Sequence, residues 1–467
     1  MPTVGAIGSG RSTGRAAGLS GVGVNVQRVS GNPVADAAGA AKTDPTSAHR
    51  KASTTQRDFM AGKLSHVTET RAVAAPDFPA THPESCPFDP DPSFTRLRAE
   101  DPVTPVRCPA GMDAWLVSRY EDIRSALTDP RLSSRAASSM HMQTDYDFDH
   151  DVPPGQIIQL DGEQHARIRR LLIGEFTVRR TEALRPFIQR ITDEHIDAML
   201  QGSAADLVPD FALPIPSLVI CELLGVPYED RDSFQRDGAL LMGIEPEQAA
   251  ARGAAFQRLQ GYLAGLVGRR LAEPQDDLLS RLIARAEESG QPLTMAELIT
   301  LALVLLVAGH ETTANMIALS TLALLENPEQ LAALQDSPES AVEELLRYLS
   351  VIQFGLFRYA VEDVSIGGAD VKAGEWLIAA IQSGNRDEAV YPNPDAVDLG
   401  RQARTHLAFG FGAHQCLGQQ LARIELQVAL TTLLRRVPGL RLAAPLAFSD
   451  FKHTDIVYGL RSMPVTW

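Results

Sequence analysis

From Glu163 to Glu288 apolar positions recur with helical spacing almost without a break, the interruptions falling at Gly202, Pro214 to Pro216, Gly225 to Pro227, Gly243 to Pro246 and Pro274. A longer helix is predicted next. Thr294 followed by Glu297 has the spacing of a capping box, in which each side chain satisfies a backbone amide that the first helical turn leaves free, and the apolar run then continues through Leu325 to Asn327-Pro328. Ser340 to Tyr348 predicts a further helix. Between Val351 and Ile381 the rhythm changes to short β-branched runs separated by turns such as Gly367-Gly368, which predicts strands. A stretch rich in proline and aspartate leads to His406, and a last helix is expected just after Cys416. Upstream, the extended segment Pro79 to Pro92 precedes a short helix at Ser93 to Glu100, a strand at Ala114 to Val117 and a helix at Glu121 to Leu127. The predicted fold is mainly α with a smaller β region placed late.

Folded character begins near Pro76. Before it, the residues are rich in Gly, Ala, Ser and Thr, and Arg11, Arg15, Arg28, Lys42, Arg50, Lys51 and Arg57 stand against only Asp36 and Asp44 in the first 57 positions. Such a segment buries too little apolar surface to offset its chain entropy, so 1–75 is expected to be a disordered extension and 76–467 a single domain. The extension lacks the apolar stretch of a secretory signal. Its basic, acid-poor make-up is shared with transit peptides, the plainer alternative being an upstream extension with Met60 as the initiator.

Charge and cysteine content remove several classes of function. With 58 acidic residues against 43 Lys and Arg, the formal charge is -15, and its field repels phosphate at long range. No nucleic-acid binding is expected. The strongly apolar run Leu298 to Ala308 falls short of the roughly 20 residues that cross a bilayer, so no membrane insertion is expected either. The four cysteines, Cys86, Cys108, Cys221 and Cys416, include no close pair. That spacing excludes a zinc ribbon or a disulfide-stapled scaffold and suits a reducing cytoplasm.

Three segments carry candidate chemistry. In Phe409-Gly410-Phe411-Gly412-Ala413-His414-Gln415-Cys416-Leu417-Gly418, a sulfur sits in a glycine-rich loop ahead of a helix. The helix dipole and nearby amides favour a thiolate there and are expected to lower its pKa, while the glycines let backbone approach a flat ligand. A lone cysteine of this kind also fits the core as a small hydrophobe. In Ala308-Gly309-His310-Glu311-Thr312-Thr313, an acid and two threonines interrupt the long apolar helix. Threonine commonly bonds back to its own helix, but a buried acid needs a partner or a purpose. Glu344 and Arg347 are three apart on one helical face, a spacing that ordinary surface ion pairs share.

Taken together, these segments resemble the motifs of the cytochrome P-450 family. The Phe409 to Gly418 loop resembles the family's haem-binding loop. The likeness implies Cys416 as the thiolate ligand of the iron of haem b, Phe409 against the sulfur side of the macrocycle, Gly410 as a point of close approach, and amide hydrogens from Leu417 and Gly418 to the sulfur. Ala308 to Thr312 is similar to the oxygen-activation motif. Val304, Ala308 and Thr312, four apart, would overlie the haem. Ala308 and Gly309 would leave room for dioxygen, Thr312 would hydrogen-bond the activated oxygen, and Glu311 would relay protons. Glu344 and Arg347 match the ExxR motif, with Arg401 in Asp398-Leu399-Gly400-Arg401 as third member of a structural charge network. His165 and Arg169, one helical turn apart, together with Arg358 and His414, would hold the propionates.

The resemblance spans about Pro76 to Trp467 and places the haem between the long central helix and the Cys loop with its last helix. Cys86-Pro87-Phe88-Asp89 and Asp161 to Leu172 look most like soluble bacterial, actinomycete-type members. Phe354-Gly355-Leu356-Phe357 and Ser383-Gly384-Asn385 depart from the pattern, and Phe357 would either narrow the pocket or pack the sheet. The implied activity is monooxygenation, hydroxylation or epoxidation of an apolar small molecule by dioxygen, in secondary metabolism or xenobiotic oxidation. No GxGxxG opens a helix, so a separate ferredoxin and ferredoxin reductase would supply electrons, steered by a basic patch of Arg167, Arg169, Arg170 and Arg423. The loop with Met140, Met142 and Tyr146, together with Leu240, Leu241 and Met242, would cover a macrolide, terpenoid, sterol or aromatic polyketide. The alternatives are a peroxide-driven or coupling haem enzyme and a non-catalytic haem sensor or carrier.

Overall fold

Residues 77–78, 82–108, 111–136, 152–242 and 248–467 are described by the computed structural model. The extension 1–75, the residues Met140, Met142 and Tyr146, and the break at Gly243 to Pro246 lie outside them. In chain order the elements are α1 (Ser93–Glu100), β1 (Val103–Arg107), β2 (Asp113–Val117), α2 (Tyr120–Thr128), β3 (Leu132–Ser133), α3 (Gly162–Ile173), α4 (Val178–Ala183), α5 (Arg185–Met199), β4 (Ala204–Asp206), α6 (Pro214–Leu224), α7 (Arg231–Met242), α8 (Ala249–Ala272) and α9 (Leu278–Glu288). They continue with α10 (Met295–Glu326), α11 (Leu331–Asp336), α12 (Pro338–Leu349), β5 (Leu356–Ala360), β6 (Val364–Ile366), β7 (Ala369–Val371), β8 (Trp376–Ala379), α13 (Ile381–Gly384), α14 (Gln419–Arg436), β9 (Arg441–Leu442) and β10 (Pro464–Thr466).

The predicted cap starts α10. The Glu297 amide donates to the Thr294 hydroxyl at 3.2 Å, and the Thr294 amide donates to the Glu297 carboxylate at 2.8 Å. Because α10 is apolar almost all round, it packs on several sides, against α6, α7, α8 and α14. Its 32 residues make it long and apolar enough to cross a membrane by length and composition, which the 11-residue run Leu298 to Ala308 did not suggest, yet most of its residues are buried within the fold. Pro214 and Pro216 do not break a helix as expected. They occupy the first turn of α6, where a missing N–H costs nothing, and Gly225 at φ 73° ends that helix in the left-handed region.

The larger sheet has strand order β1-β2-β8-β5-β3, with β2 and β8 parallel and the other neighbours antiparallel. Phe357, 2% exposed, packs with Leu116 and Ile378 on this sheet, so it fills the sheet core. The departure at Ser383-Gly384 has a local reason too. The Ser383 hydroxyl donates to the Ser118 carbonyl at 2.8 Å and accepts from Arg98, while a β-carbon at Gly384 would stand 2.8 Å from Ile123. A second sheet, in the order β4-β10-β9, ties the end of the chain back to the segment before α6.

Candidate active site

The Cys loop is shaped by two left-handed glycines, Gly410 at φ 69° and Gly412 at φ 76°. At Gly412 a β-carbon would meet the Leu127 carbonyl oxygen at 2.8 Å, which lets the loop press against α2. The Cys416 amide closes the loop by donating to the Phe409 carbonyl at 2.9 Å. The sulfur receives hydrogen bonds from the amides of Gly418 and Gln419, so the pair expected at Leu417 and Gly418 is shifted by one residue onto the first turn of α14. Burial pushes the Cys416 thiol up, and these amides with the charges of Arg169 and Arg423 offset only part of that rise. The expected lowering is thus opposed by the packing around the sulfur, although the residue itself keeps an exposed face. A bound cationic metal would reverse the balance, since a coordinating thiol loses its proton.

Beside the sulfur, the Phe409 ring lies under Arg423, with the guanidinium carbon 4.6 Å from the ring centroid. Arg423 in turn donates to Glu343, which also meets His406 at 3.1 Å. This buried carboxylate was not singled out from the sequence. Glu343 is held down to about 2 although burial opposes its charge, because hydrogen bonds from His406 and Arg423 and their charges prevail. A depressed carboxyl contributes stability above its unfolded-state value and loses it as the pH falls. Between about pH 4.5 and pH 2 the native protein is therefore expected to lose on the order of 3 kcal/mol more than Glu343→Gln does, read by urea unfolding at each pH. Parallel stability curves for the two proteins would contradict this.

On α10 the face carrying Val304, Ala308 and Thr312 is open. Ala308 is exposed in the middle of a helix whose other faces are buried, and Thr312 is half-buried, its hydroxyl donating to the Ala308 carbonyl at 3.0 Å. Gly309 does not share that face. A β-carbon there would stand 3.1 Å from Ile220, so its missing side chain serves the approach of α6 rather than room for a ligand. Glu311 is 4% exposed and turns to the Asn315 side, where it meets Lys452. Burial opposes its charge, but Lys452, His310 and Asn315 hold the carboxyl below the usual range.

The remaining site candidates gather on two further clusters. Glu344 and Arg347 are fully buried and bonded in two-pronged fashion at 2.7 and 2.8 Å, and the Arg401 Nε donates to the same carboxylate at 3.1 Å. Arg347 also donates to the carbonyls of Asn385, Pro394 and Ala396. The second cluster holds the four groups expected at the propionates, of which His165 is uncharged at neutral pH. His165 and His414 have ring centroids 4.0 Å apart, and His414 is 3.7 Å from Asp161. Arg169 donates to the Gln415 carbonyl at 2.7 Å, pinning α3 to the Cys loop. Arg358 is 4% exposed and donates to the Phe357 carbonyl at 2.8 Å. Burial lowers it to about 10, and Asp161 is the one acid whose charge offsets this. His165 is lowered to about 4 by burial and by the neighbouring charges of His414 and Arg169.

These residues fit haem. An accessible cysteine heads the buried α14, a small residue opens the long helix, and a buried guanidinium with no ion-paired carboxylate among the described residues suits an acidic substituent. The expected basic patch is corrected, however: Arg167 pairs with Glu297, Arg170 with Glu163 and Arg423 with Glu343, while Arg169 is spent on Gln415.

Such a site on a helical fold of this kind defines a haem-thiolate oxidoreductase. The cytochrome P450 family model matches residues 253–337 and 338–437. Cytochrome P450-SU2 of Streptomyces griseolus is 46% identical over 409 residues, 86% of this chain and 100% of that protein. Cytochrome P450 GfsF of Streptomyces halstedii is 46% identical over 406 residues, 85% of this chain and 97% of that one. The crystal structure of CYP105P1 in complex with filipin I matches with a TM-score of 0.79 at 44% identity, covering 84% of this chain and 99% of that chain. The chain belongs to the cytochrome P450 family: it is a monooxygenase with haem b as its cofactor, acting on a small molecule with dioxygen and redox partners.

Proposed function

We propose that Cys416 is the axial ligand of haem iron and that the enzyme inserts one oxygen atom into a C–H bond or alkene of an apolar small molecule. The observation that carries this reading is the accessible Cys416 sulfur, hydrogen-bonded by two amides and flanked by Arg169 and Arg423. When bound, haem supplies dioxygen activation, with electron push from the thiolate favouring O–O cleavage, so one oxygen atom enters the substrate and the other leaves as water. The chain's own residues bind and orient. Arg358, Arg169, His165 and His414 would hold the propionates, with Phe409 below the macrocycle. Ala308 leaves the space above it open, and the Thr312 hydroxyl, already donating to the Ala308 carbonyl, keeps lone pairs that accept and position a proton donor. Glu311 carries protons to that hydroxyl.

Electrons are proposed to come from a ferredoxin and its reductase, and the enzyme to act in the cytoplasm on a secondary metabolite or xenobiotic. That the similar CYP105P1 is seen with filipin I supports a small-molecule ligand on this fold. Turnover with ferredoxin, its reductase and reduced nicotinamide, compared with turnover on hydrogen peroxide alone, tests the reading. Product from the first system supports it, and product from peroxide with none from the first system contradicts it. Thr312→Ala is expected to lower product per electron pair several-fold while reductant is still consumed; unchanged coupling would remove the role of Thr312.

A further inference from the structure

Glu311 is closed off from solvent by its own neighbours. It is 4% exposed, Asn315 is 2% exposed and His310 is 1% exposed, and all three belong to α10. Among the described residues that bond or pair with Glu311, Lys452 is the one that keeps some accessible surface, its side chain being 15% exposed on a loop near the end of the chain. Its ammonium donates to the Glu311 carboxylate and, at 3.2 Å, to the Asn315 side-chain oxygen, while the Asn315 amide nitrogen donates to Glu311 Oε1 at 3.1 Å. The three side chains thus form a closed triangle.

The loop that brings Lys452 in is itself keyed to α10. A β-carbon at Gly459 would collide with the Asn315 side chain, so the loop backbone lies directly on the helix. The Lys452 amide donates to the Gly459 carbonyl at 2.8 Å, and the Gln353 side chain donates to the Lys452 carbonyl at 3.0 Å. His310 adds no competing bond: its Nδ1 is engaged with the Leu306 carbonyl at 3.0 Å, and its Nε2 stands 3.9 Å from Glu311 with no hydrogen-bond partner among the described residues. The groups facing Glu311 are therefore Lys452 from the loop and His310 and Asn315 from its own helix.

We propose that Lys452 is a positioning residue for Glu311, holding the carboxylate charged on the Asn315 face of α10 and, by its withdrawal, gating the entry of protons from solvent. This rests on Glu311 as the proton relay. The ion pair keeps Glu311 ionised in the closed loop, and Lys452 occupies a side of the carboxylate that keeps some accessible surface. Residues one apart on a helix point about 100° apart, so the carboxylate must leave the Lys452 side to serve Thr312.

The test uses the haem-loaded enzyme and four variants: Lys452→Met, Lys452→Arg, Glu311→Gln, and Lys452→Met combined with Glu311→Gln. Losing an opposite charge in contact raises a buried carboxyl, so the acid limb of the coupling profile in Lys452→Met is expected to move up by about 1 to 3 pH units. Infrared spectra at neutral pH should show a protonated-carboxyl band in Lys452→Met that the double variant lacks, above the constant contribution of the buried Glu425, whose carboxyl burial pushes well up. Lys452→Arg keeps the charge and is expected to show neither change. If Lys452→Met matches the wild type in band and profile while Glu311→Gln alters coupling, the latch is overturned and the relay stands. Should the band appear while Glu311→Gln leaves coupling untouched, the hold on charge is supported and the relay, with the gating that depends on it, is overturned.

Discussion

Arg347→Leu is expected to destabilise the protein by about 3 to 5 kcal/mol and to leave most of the chain without haem. The magnitude follows from what the guanidinium satisfies. Glu344 is fully buried and would keep the Arg401 guanidinium and the Asp398 amide but lose its two-pronged partner, and the carbonyls of Asn385, Pro394 and Ala396 would lose a donor in a place where water does not replace it. The loss travels to the site through the backbone. Asn385, whose carbonyl Arg347 holds, also accepts the Leu407 amide on its side-chain oxygen at 2.7 Å, immediately ahead of the Cys loop. Arg347→Lys should recover only part of the stability, because an ammonium cannot reproduce the two-pronged bond. Urea unfolding of the three proteins, read together with haem content, checks this. A drop under about 1 kcal/mol in Arg347→Leu would show that the network is not structural.

Much of this architecture is written locally. The cap at Thr294 and Glu297, the apolar length of α10 and the change of rhythm after Val351 are short-range patterns, and the corresponding elements form where those patterns lie. Strands β4, β9 and β10 are two or three residues long, and β10 pairs with a segment more than 250 positions earlier, so no alternation marks them. β1 was hidden differently: Pro105 interrupts its pattern, which an edge strand tolerates. At the site, the residue types were legible but their directions were not. Gly309 looks like Ala308 in a motif, yet it faces Ile220. The arginines of the expected basic patch are each engaged, two of them by acids far away in sequence, as Arg423 is by Glu343, 80 positions earlier. Glu343 itself left a signal: it stands directly before Glu344 in a helix whose flanking Val342 and Leu345 are core residues, so one turn held two acids that both needed partners. Lys452 left none. Its link to Glu311 spans 141 positions, and a lone lysine in a loop reads as solvated charge.

The largest loss of activity is expected from Cys416→Ala. Removing the sulfur deletes the acceptor of the Gly418 and Gln419 amides, while Arg423 keeps Glu343, Arg169 keeps the Gln415 carbonyl, and the loop's own closure, from the Cys416 amide to the Phe409 carbonyl, uses backbone alone. The fold is therefore expected to survive while monooxygenation is abolished, and any haem retained by Arg358, Arg169, His165 and His414 would lack thiolate ligation. Cys86, Cys108 and Cys221 do not substitute: each belongs to another part of the fold, and burial raises the thiols of Cys86 and Cys108. The most direct measurement is the carbon monoxide difference spectrum of the reduced protein. The wild type should show the red-shifted Soret band of a thiolate-ligated haem and Cys416→Ala should not; the same red-shifted band in Cys416→Ala, or an unshifted band in active wild type, would contradict sulfur ligation at position 416.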